Sequence, residues 1–253
     1  MTMNLHTILK SVEKPGRYTG GEWGQTIKDK NAVDVRFAFC FPDNYEIGMS
    51  NLGIRILYGV LNNEENVWCE RAYAPWPDME EKMREYGIPL YAHESGDPLS
   101  DFDIVGFTLQ YELCYTNVLN MLELGGIPLL ASERGENDPI IIGGGPCAYN
   151  AEPIADFFDV LDIGEGEEML PRFTRMYAKM KREGASRAEI LRATSHLDGF
   201  YVPALYEVEY GADGTISSFE PKYDDIPRTV QKQIIADLDS VYFPDKFVMP
   251  YIE

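Results

Sequence analysis

The sequence predicts an α/β fold: a doubly wound sheet of five parallel strands, followed by a small α+β extension. Strand and helix patterns alternate from residue 33 to residue 183, which is typical of such sheets. The apolar run at 140–142 lacks polar alternation, which suits a strand covered on both faces. Three glycines follow this run. A second short strand pattern, at 160–163, is likewise followed by a glycine-rich turn. Two such turns would lie side by side at the carboxyl edge, where open α/β sheets bind ligands.

The predicted elements follow each other in regular order. The strands are 33–41, 67–73, 104–109, 140–142 and 160–163, and the helices are 50–61, 77–86, 114–124, 152–158 and 167–183. The first strand is rich in valine and phenylalanine, which favour strands. The helices carry apolar residues on one side, and two of them stop at Gly87 and Gly125, while Ser50 is a candidate N-cap. We therefore expect a Rossmann- or flavodoxin-like arrangement.

The chain divides into three predicted regions: an N-terminal arm (1–30), the α/β domain (31–185) and the extension (186–253). The density of glycine and proline in the arm predicts an extended segment. In the extension we expect a helix at 187–195 and a β-hairpin of 206–210 with 215–219. Residues 230–242 fit either a helix or an irregular strap. The chain ends without a stop signal, so we expect it to be cut within an element, before a missing domain.

Composition excludes several classes of partner. The chain has 253 residues, with 42 acidic and 22 basic side chains and a net charge of −20. Such a charge repels nucleic acid and anionic membrane surfaces. No apolar run approaches the roughly 20 residues of a spanning helix, and residues 1–10 lack the apolar core of a signal peptide. These observations predict a cytoplasmic protein.

The four cysteines are predicted to be reduced thiols. Cys40, Cys69, Cys114 and Cys147 lie far apart in the sequence, and no Cys-x-x-Cys pair is present. A zinc site or an iron–sulfur cluster made by this chain alone is therefore not expected.

Polar residues follow the first predicted strand, at the same edge as the glycine turns. Asp43, Tyr45 and Glu46 are placed to contact a ligand there. An ordinary capped turn, with Ser50 as the cap and Gly48 as the flexible point, explains this loop equally well.

The third predicted strand ends in a similar way. Thr108, Gln110 and Tyr111 offer hydroxyl and amide groups to the same edge. The alternative is that these residues only cap the helix that follows.

The sequence carries no pattern for hydrolysis or acid–base catalysis. His6, His93 and His196 are scattered, and neither a Gly-x-Ser-x-Gly elbow nor a P-loop is present. Residues 48–53 do not match the Gly-x-Gly-x-x-Gly dinucleotide pattern, which disfavours NAD. The acids of 165–167 are consistent with a helix start, where negative charge favours the helix dipole.

Several segments together resemble a known domain. These are Ile-Ile-Ile-Gly-Gly-Gly-Pro at 140–146, Glu-Pro at 152–153 and Asp-Ile-Gly-Glu-Gly-Glu at 162–167. They are similar to the N-terminal cobalamin-binding domain of cobalamin-dependent radical S-adenosylmethionine (SAM) proteins. The segment 101–108 resembles the third strand of that domain, and the resemblance spans residues 33–185. The segments 17–22 and 41–53 resemble, more narrowly, an uncharacterised subfamily of these proteins.

The resemblance has two departures. Mutase-type cobalamin domains carry Asp-x-His-x-x-Gly after the first strand, where the histidine ligates cobalt, and here the same spacing gives Asp43, Tyr45 and Gly48. The resemblance then implies either cobalamin bound without a histidine ligand or a domain that has lost cobalamin. The Cys-x-x-x-Cys-x-x-Cys motif for a 4Fe-4S cluster is absent. The cluster and SAM are therefore expected only in a missing radical SAM domain, which would be this chain's partner.

The expected cofactor site has two parts. A broad platform near Tyr45, Met49 and Tyr111 would take the flat face of the corrinoid, and a glycine-lined slot would take its tail. The slot residues are expected to be Gly143, Gly144, Gly145, Pro146, Gly164, Glu165, Gly166 and Glu167. Two other functions stay open: a degenerate cobalamin fold that serves structural or partner binding without cofactor, and a flavodoxin-like binder of a small ligand such as flavin. Whether the chain binds a corrinoid or formerly bound one, it is not expected to perform radical chemistry alone.

Overall fold

A computed structural model describes residues 5–251. The first four residues of the predicted arm and the last two of the predicted extension lie outside the described residues. The strands are β1 (Val35–Phe41), β2 (Val67–Tyr73), β3 (Ile104–Thr108), β4 (Ile140–Gly144), β5 (Val160–Asp162), β6 (Phe200–Tyr201), β7 (Tyr206–Tyr210) and β8 (Ile216–Pro221). The α-helices are α1 (Leu5–Leu9), α2 (Tyr45–Ser50), α3 (Leu52–Asn62), α4 (Pro77–Tyr86), α5 (Tyr115–Leu124), α6 (Gly166–Arg182) and α7 (Arg187–Thr194).

The central sheet has six strands in the order β2-β1-β3-β4-β5-β6. The first five are parallel, and their order is that of a flavodoxin-like sheet. The predicted number of five was wrong, because β6 adds an antiparallel edge strand beside β5. Its two residues are too few to produce a periodic pattern, and they come from the segment assigned to the extension.

Helices cover both faces of the sheet, as the apolar strands predicted. Successive strand residues point to opposite faces, so Ile142 packs in one apolar cluster and Ile141 in the other. The first cluster includes residues of α3 and α6, and the second includes residues of α4 and α5. The sheet is therefore doubly wound around two buried cores.

Several predicted helix boundaries were wrong. The predicted helix 50–61 is α3, which begins two residues later, at Leu52. Ser50 is instead the last residue of α2, a short helix in the segment predicted as a loop. Asn51 is the cap of α3, since its side chain accepts a hydrogen bond from the Ile54 backbone N–H at 3.0 Å. The predicted helix 152–158 is a run of 3₁₀ turns (Glu152–Phe157). In the predicted arm, α1 and one 3₁₀ turn (Pro15–Tyr18) interrupt the extended chain.

The carboxyl-terminal part contains the predicted hairpin, β7 with β8, as a separate two-stranded sheet. The ambiguous segment 230–242 is an irregular strap with a single 3₁₀ turn (Leu238–Ser240). The chain continues to residue 251, and we call residues 230–251 the strap. The strap crosses α3, where the Tyr242 ring lies over Gly59. Further along, the Tyr251 backbone N–H donates to the Tyr45 hydroxyl at 3.0 Å. Tyr251 also donates its own hydroxyl to the Gly20 carbonyl, which joins the strap to the arm.

No helix within residues 5–251 combines the length and apolar character that crossing a bilayer requires.

Candidate functional site

A slot opens at the carboxyl edge of the sheet, next to the switch point between β1 and β3. The chain leaves β1 towards β2 on one side and passes through β3, β4 and β5 on the other, and this reversal opens a crevice. The slot has a volume of about 230 Å³ and lies between the sheet, α3 and α6. Its lining includes Phe39, Leu57, Ile142 and Leu170, so its walls are mainly apolar.

Glycines occupy two positions on the floor of the slot, Gly106 in β3 and Gly144 in β4, and a neighbouring side chain lies close to each of them. Gly106 of β3 pairs with Ile142 of β4, and Thr108 pairs with Gly144. A Cβ atom at Gly144 would lie 2.8 Å from Oδ1 of Asp162 on the neighbouring strand. A side chain at Gly144 would therefore meet the Asp162 carboxyl group and narrow the slot.

Asp162 ends β5 and lines the slot with its carboxyl group. The residue is only 5% exposed, but its carboxyl oxygens are not among the fully buried atoms that lack a partner. No hydrogen bond contributes to the pKa of this carboxyl group. Burial and, secondarily, the nearby charge of Glu167 raise the pKa of Asp162 to about 7. Sequence reasoning did not name Asp162 as a site residue, although it is the one acidic residue inside the apolar run 160–163.

The turn after β5 is covered by the strap. Gly164 has φ +153°, and a Cβ there would lie 2.5 Å from the Gln233 carbonyl oxygen. Gln233 donates its backbone N–H to Ile163 and accepts from the Glu165 N–H at 3.3 Å, and a carboxylate oxygen of Glu165 accepts the Ile235 N–H. Only glycine fits at position 164, because the backbone of the strap at Gln233 lies too close to leave room for a side chain. Gly164, Glu165, Gly166 and Glu167 all line the slot as well.

The three glycines at the end of β4 and directly after it have different surroundings. Gly143 faces the opposite core, where a Cβ would lie 2.7 Å from the Phe158 ring. Gly144 and Gly145 line the slot, and Gly145 has φ +105°. Pro146 begins a 3₁₀ turn directly after them. The structure therefore brings two of the three glycines to the slot.

Part of the loop after β1 is turned away from the slot. Tyr45 is buried and stacks on His93 with 5.7 Å between ring centroids. Met49 is also buried, and its sulfur accepts hydrogen bonds from Arg71 and Tyr73, both at 2.9 Å. Gly48 lies against the Tyr73 ring, which leaves no room for a side chain. These three predicted residues form a packed cluster and do not line the slot.

The remaining predicted residues lie nearer the edge. Asp43 accepts a hydrogen bond from the Tyr111 hydroxyl at 3.2 Å, which links the ends of β1 and β3. The Thr108 hydroxyl accepts from the Gln110 amide, and both side chains line the slot. Glu46 faces the arm and pairs with Arg17 at 2.9 Å. Ser50 is exposed, and its hydroxyl donates to the Ile47 carbonyl.

Exposed apolar side chains follow the carboxyl ends of the strands. They come from the segments that follow β1, β3 and β4, including the helices α2 and α3, and from the strap beside Gly164. These six residues, which we call the apolar rim, are Ile47, Leu52, Tyr111, Leu113, Tyr149 and Ile234. Sequence reasoning named only Tyr111 among them, although large apolar residues in loops after strands are the signal that could have identified the others.

A second cavity of about 310 Å³ lies between the arm, α3 and the strap. Beside it Arg71 is almost fully buried and pairs with Glu94 at 2.6 Å and with Glu22 at 3.1 Å. These contacts hold the arm against β2. This cavity is lined by Tyr242 and Phe247 of the strap, and it does not reach the glycine turns.

Within the described part of the chain, no three histidine, cysteine or acidic side chains are grouped so that they could hold a metal ion. Cys40, Cys69, Cys114 and Cys147 are all buried, and none of them is paired in a disulfide.

Comparison with known proteins identifies the family to which this chain belongs. Residues 53–203, more than half of the chain, match the family described as radical SAM proteins, N-terminal. An uncharacterised protein of Methanocaldococcus jannaschii is 29% identical over 133 residues, which cover 51% of this chain. That alignment covers 24% of the archaeal protein, so this chain spans about a quarter of its relative. No solved structure shows a significant match. The chain belongs to the family of N-terminal domains of radical SAM proteins.

Proposed function

We propose that this chain is the corrinoid-binding part of a radical SAM enzyme. The observation that carries the proposal is the slot at the carboxyl edge, floored by Gly106 and Gly144 and placed at the switch point of the sheet. The family supports a role beside a radical SAM domain. It leaves the cofactor open, and the geometry of the slot supports a corrinoid best.

The residues of the edge fit the two parts of a tailed corrinoid. The tail needs a narrow apolar slot with backbone close to it, and Gly144 and Gly145 supply that backbone. The flat macrocycle needs a broad apolar surface, which the apolar rim supplies around the ends of the strands. The Asp162 carboxyl inside the slot is a polar group that a ligand could reach.

The loop after β1 supplies no histidine to the cofactor in this proposal. Tyr45 stands at the position of the mutase-type histidine, and it is buried beneath Tyr251. A corrinoid supplies a cobalt centre that can carry a methyl group, and the chain's residues would hold it without an imidazole from this loop. The 4Fe-4S cluster, SAM and the substrate would belong to a radical SAM domain elsewhere in the full protein. That protein would transfer a methyl group or rearrange a substrate through a radical.

The proposed setting is the cytoplasm, since four buried thiols suit a reducing compartment. With a net charge of −20, the proposed partners are the radical SAM domain and a small-molecule cofactor, and neither nucleic acid nor a membrane.

The experiment is a binding titration with hydroxocobalamin and methylcobalamin on matched glycine variants. Gly144→Val adds atoms that meet the Asp162 side chain inside the slot, so we expect at least a tenfold loss of corrinoid affinity. Gly135→Val makes the same change on an exposed loop outside the slot, and we expect wild-type affinity. Gly164 is a poorer test site, because a side chain there would displace the Gln233 backbone. Equal affinity of the two variants would refute this placement of the cofactor.

A second candidate function is a degenerate cobalamin fold that binds a protein partner and no cofactor. The packing of Tyr45 against His93 and Tyr251 favours it, since protein side chains fill the region of the cobalt-ligating loop. Neither Tyr45 nor Tyr111 closes over the glycine turns, however, and this favours the cofactor-binding role.

The colour of the purified protein distinguishes a corrinoid from a flavin. A yellow protein would indicate flavin, whereas a red or pink one would indicate a corrinoid.

A further inference from the structure

Asp162 differs from every other buried acidic residue that the structure describes. Three further acidic residues are buried, and each has an arginine partner. The pairs are Glu22 with Arg71, Glu70 with Arg36, and Asp159 with Arg134. Within residues 5–251 Asp162 has no such arginine partner, and no hydrogen bond contributes to the pKa of its carboxyl group. Its oxygens are not among the fully buried atoms that lack a partner, and the residue lines the slot, so a ligand there could reach the carboxyl group.

The carboxyl group of Asp162 faces the slot. Val160, two residues earlier on β5, packs in the core under α3 and α6, so Asp162 points to the same side of the sheet. The carboxyl lies beside Gly144, where a Cβ would contact both of its oxygens. The slot is otherwise walled by apolar side chains such as Leu57 and Leu170.

Burial favours the protonated form of this carboxyl group. Burial and the negative charge of Glu167 at the start of α6 raise its pKa to about 7. On the β3 side the slot presents the uncharged Thr108 and Gln110, and Glu165 accepts a backbone N–H of the strap. No lysine or arginine lines the described slot. A neutral carboxyl offers an O–H donor and a carbonyl acceptor side by side.

We propose that Asp162 recognises a neutral ligand group that presents a hydrogen-bond acceptor and an N–H donor next to each other. The inference rests on the proposed corrinoid function and names the group that enters the slot. Two parts of a corrinoid carry this chemistry: an aminopurine base at the end of the tail, and a primary amide on the rim of the macrocycle.

The base is the source that the slot favours. A flat aromatic ring suits a narrow space between apolar walls. An aminopurine edge can form two hydrogen bonds with a neutral carboxyl, whereas a benzimidazole base offers a ring nitrogen and no adjacent donor. One additional hydrogen bond corresponds to about a 3- to 10-fold difference in affinity. The preference should fade above pH 7, since the ionised carboxylate loses its donor.

The test measures dissociation constants for three corrinoids: an adenine-tailed form, hydroxocobalamin with its benzimidazole tail, and tail-less cobinamide. The proteins are the wild-type chain, Asp162→Asn and Asp162→Leu, each at pH 6 and pH 8.5. At pH 6 we expect the wild type to prefer the adenine-tailed form, and Asp162→Leu to lose the preference. Asp162→Asn keeps a donor beside an acceptor, so its preference should persist at both pH values.

The outcomes distinguish a failure of the proposed role of Asp162 from a failure of the proposed corrinoid-binding function. Loss of affinity restricted to the adenine-tailed form identifies the base as the recognised group, and an equal loss for all three corrinoids identifies a rim amide. Wild-type constants in Asp162→Leu would overturn the inference while leaving corrinoid binding intact. Failure of the wild-type chain to bind any of the three would refute the corrinoid function itself. The thermal midpoint of each variant verifies that it is folded.

Discussion

Asp162 and Gly144 lie at adjacent strand ends, and the missing side chain of the glycine makes room for the carboxyl. Without that space, an acidic residue could not reach into the slot from the last residue of β5. Its energetic cost to the fold is measurable, because its pKa differs between the folded and unfolded states.

The stability of the fold should depend on pH through Asp162. Its folded pKa of about 7 lies above the ordinary value of 3.8, so the folded state holds the proton where the unfolded state has released it. The free energy of unfolding therefore falls as pH rises from about 4 to 7, by up to roughly 4 kcal/mol. Asp162→Asn removes this loss, and its stability relative to wild type should grow by about 2–3 kcal/mol between pH 5 and pH 8.

Urea unfolding at the two pH values measures this difference. Asp156→Asn, on an exposed 3₁₀ turn, is the control and should follow the wild-type pH dependence. An Asp162→Asn protein that also followed it would show that the carboxyl is not protonated in the folded state.

Asp159 illustrates the opposite situation, a buried acid with complete pairing. Its carboxylate accepts from Arg134 at 2.9 Å and from the Ile141 backbone at 2.7 Å, and it pairs with Arg187 at 2.8 Å. Asp159→Ala would leave two buried arginines without their anion, so we expect a loss of about 3–5 kcal/mol in urea unfolding. Asp156→Ala, which is exposed, should change stability by less than about 0.5 kcal/mol. Similar values for the two variants would contradict the assigned network.

At the scale of elements, the long periodic segments were predictable and the short ones were not. The five parallel strands and the helices α4, α5 and α6 follow from continuous apolar runs and one-sided apolar patterns. The helix α2 was missed because its six residues are too few for a clear one-sided apolar pattern and include Gly48. β6 was missed because two residues carry no periodicity.

The strap could not be placed from sequence, since only distant contacts define it. It forms a single bridge to Gly164 and then crosses α3, where a Cβ at Gly59 would lie 2.5 Å from the Tyr242 ring. Distant contacts also turn Tyr45 away from the predicted platform. Its partners His93 and Tyr251 are remote from it in the sequence, so no local pattern could indicate these contacts. Glycine turns, by contrast, were placed correctly at the edge by their position after apolar strands.

Gly59→Ala tests the attachment of the strap. The new methyl group would push the Tyr242 ring away, while alanine favours the helix by about 1 kcal/mol. We therefore expect faster proteolysis within residues 236–251 together with a nearly unchanged thermal midpoint. Gly135→Ala should leave the cleavage rate at the wild-type value. Protection equal to wild type in Gly59→Ala would show that Tyr242 does not anchor the strap.

At the scale of the whole molecule, the sheet, the slot and the apolar rim together make one open face at the carboxyl edge. The chain as a whole carries a net charge of −20, which favours solubility. An apolar rim on such a protein indicates a surface that is meant to be covered. In our account a corrinoid and the radical SAM domain of the full protein cover it.

The most direct test of this account is the amount of corrinoid that the wild-type chain retains. The purified chain is mixed with hydroxocobalamin or methylcobalamin and desalted, and the visible absorbance of the protein fraction gives the molar ratio. We predict one corrinoid retained per chain, because the structure offers one glycine-floored slot at the carboxyl edge. A colourless protein fraction with both forms would contradict the central claim and favour the cofactor-free partner-binding module.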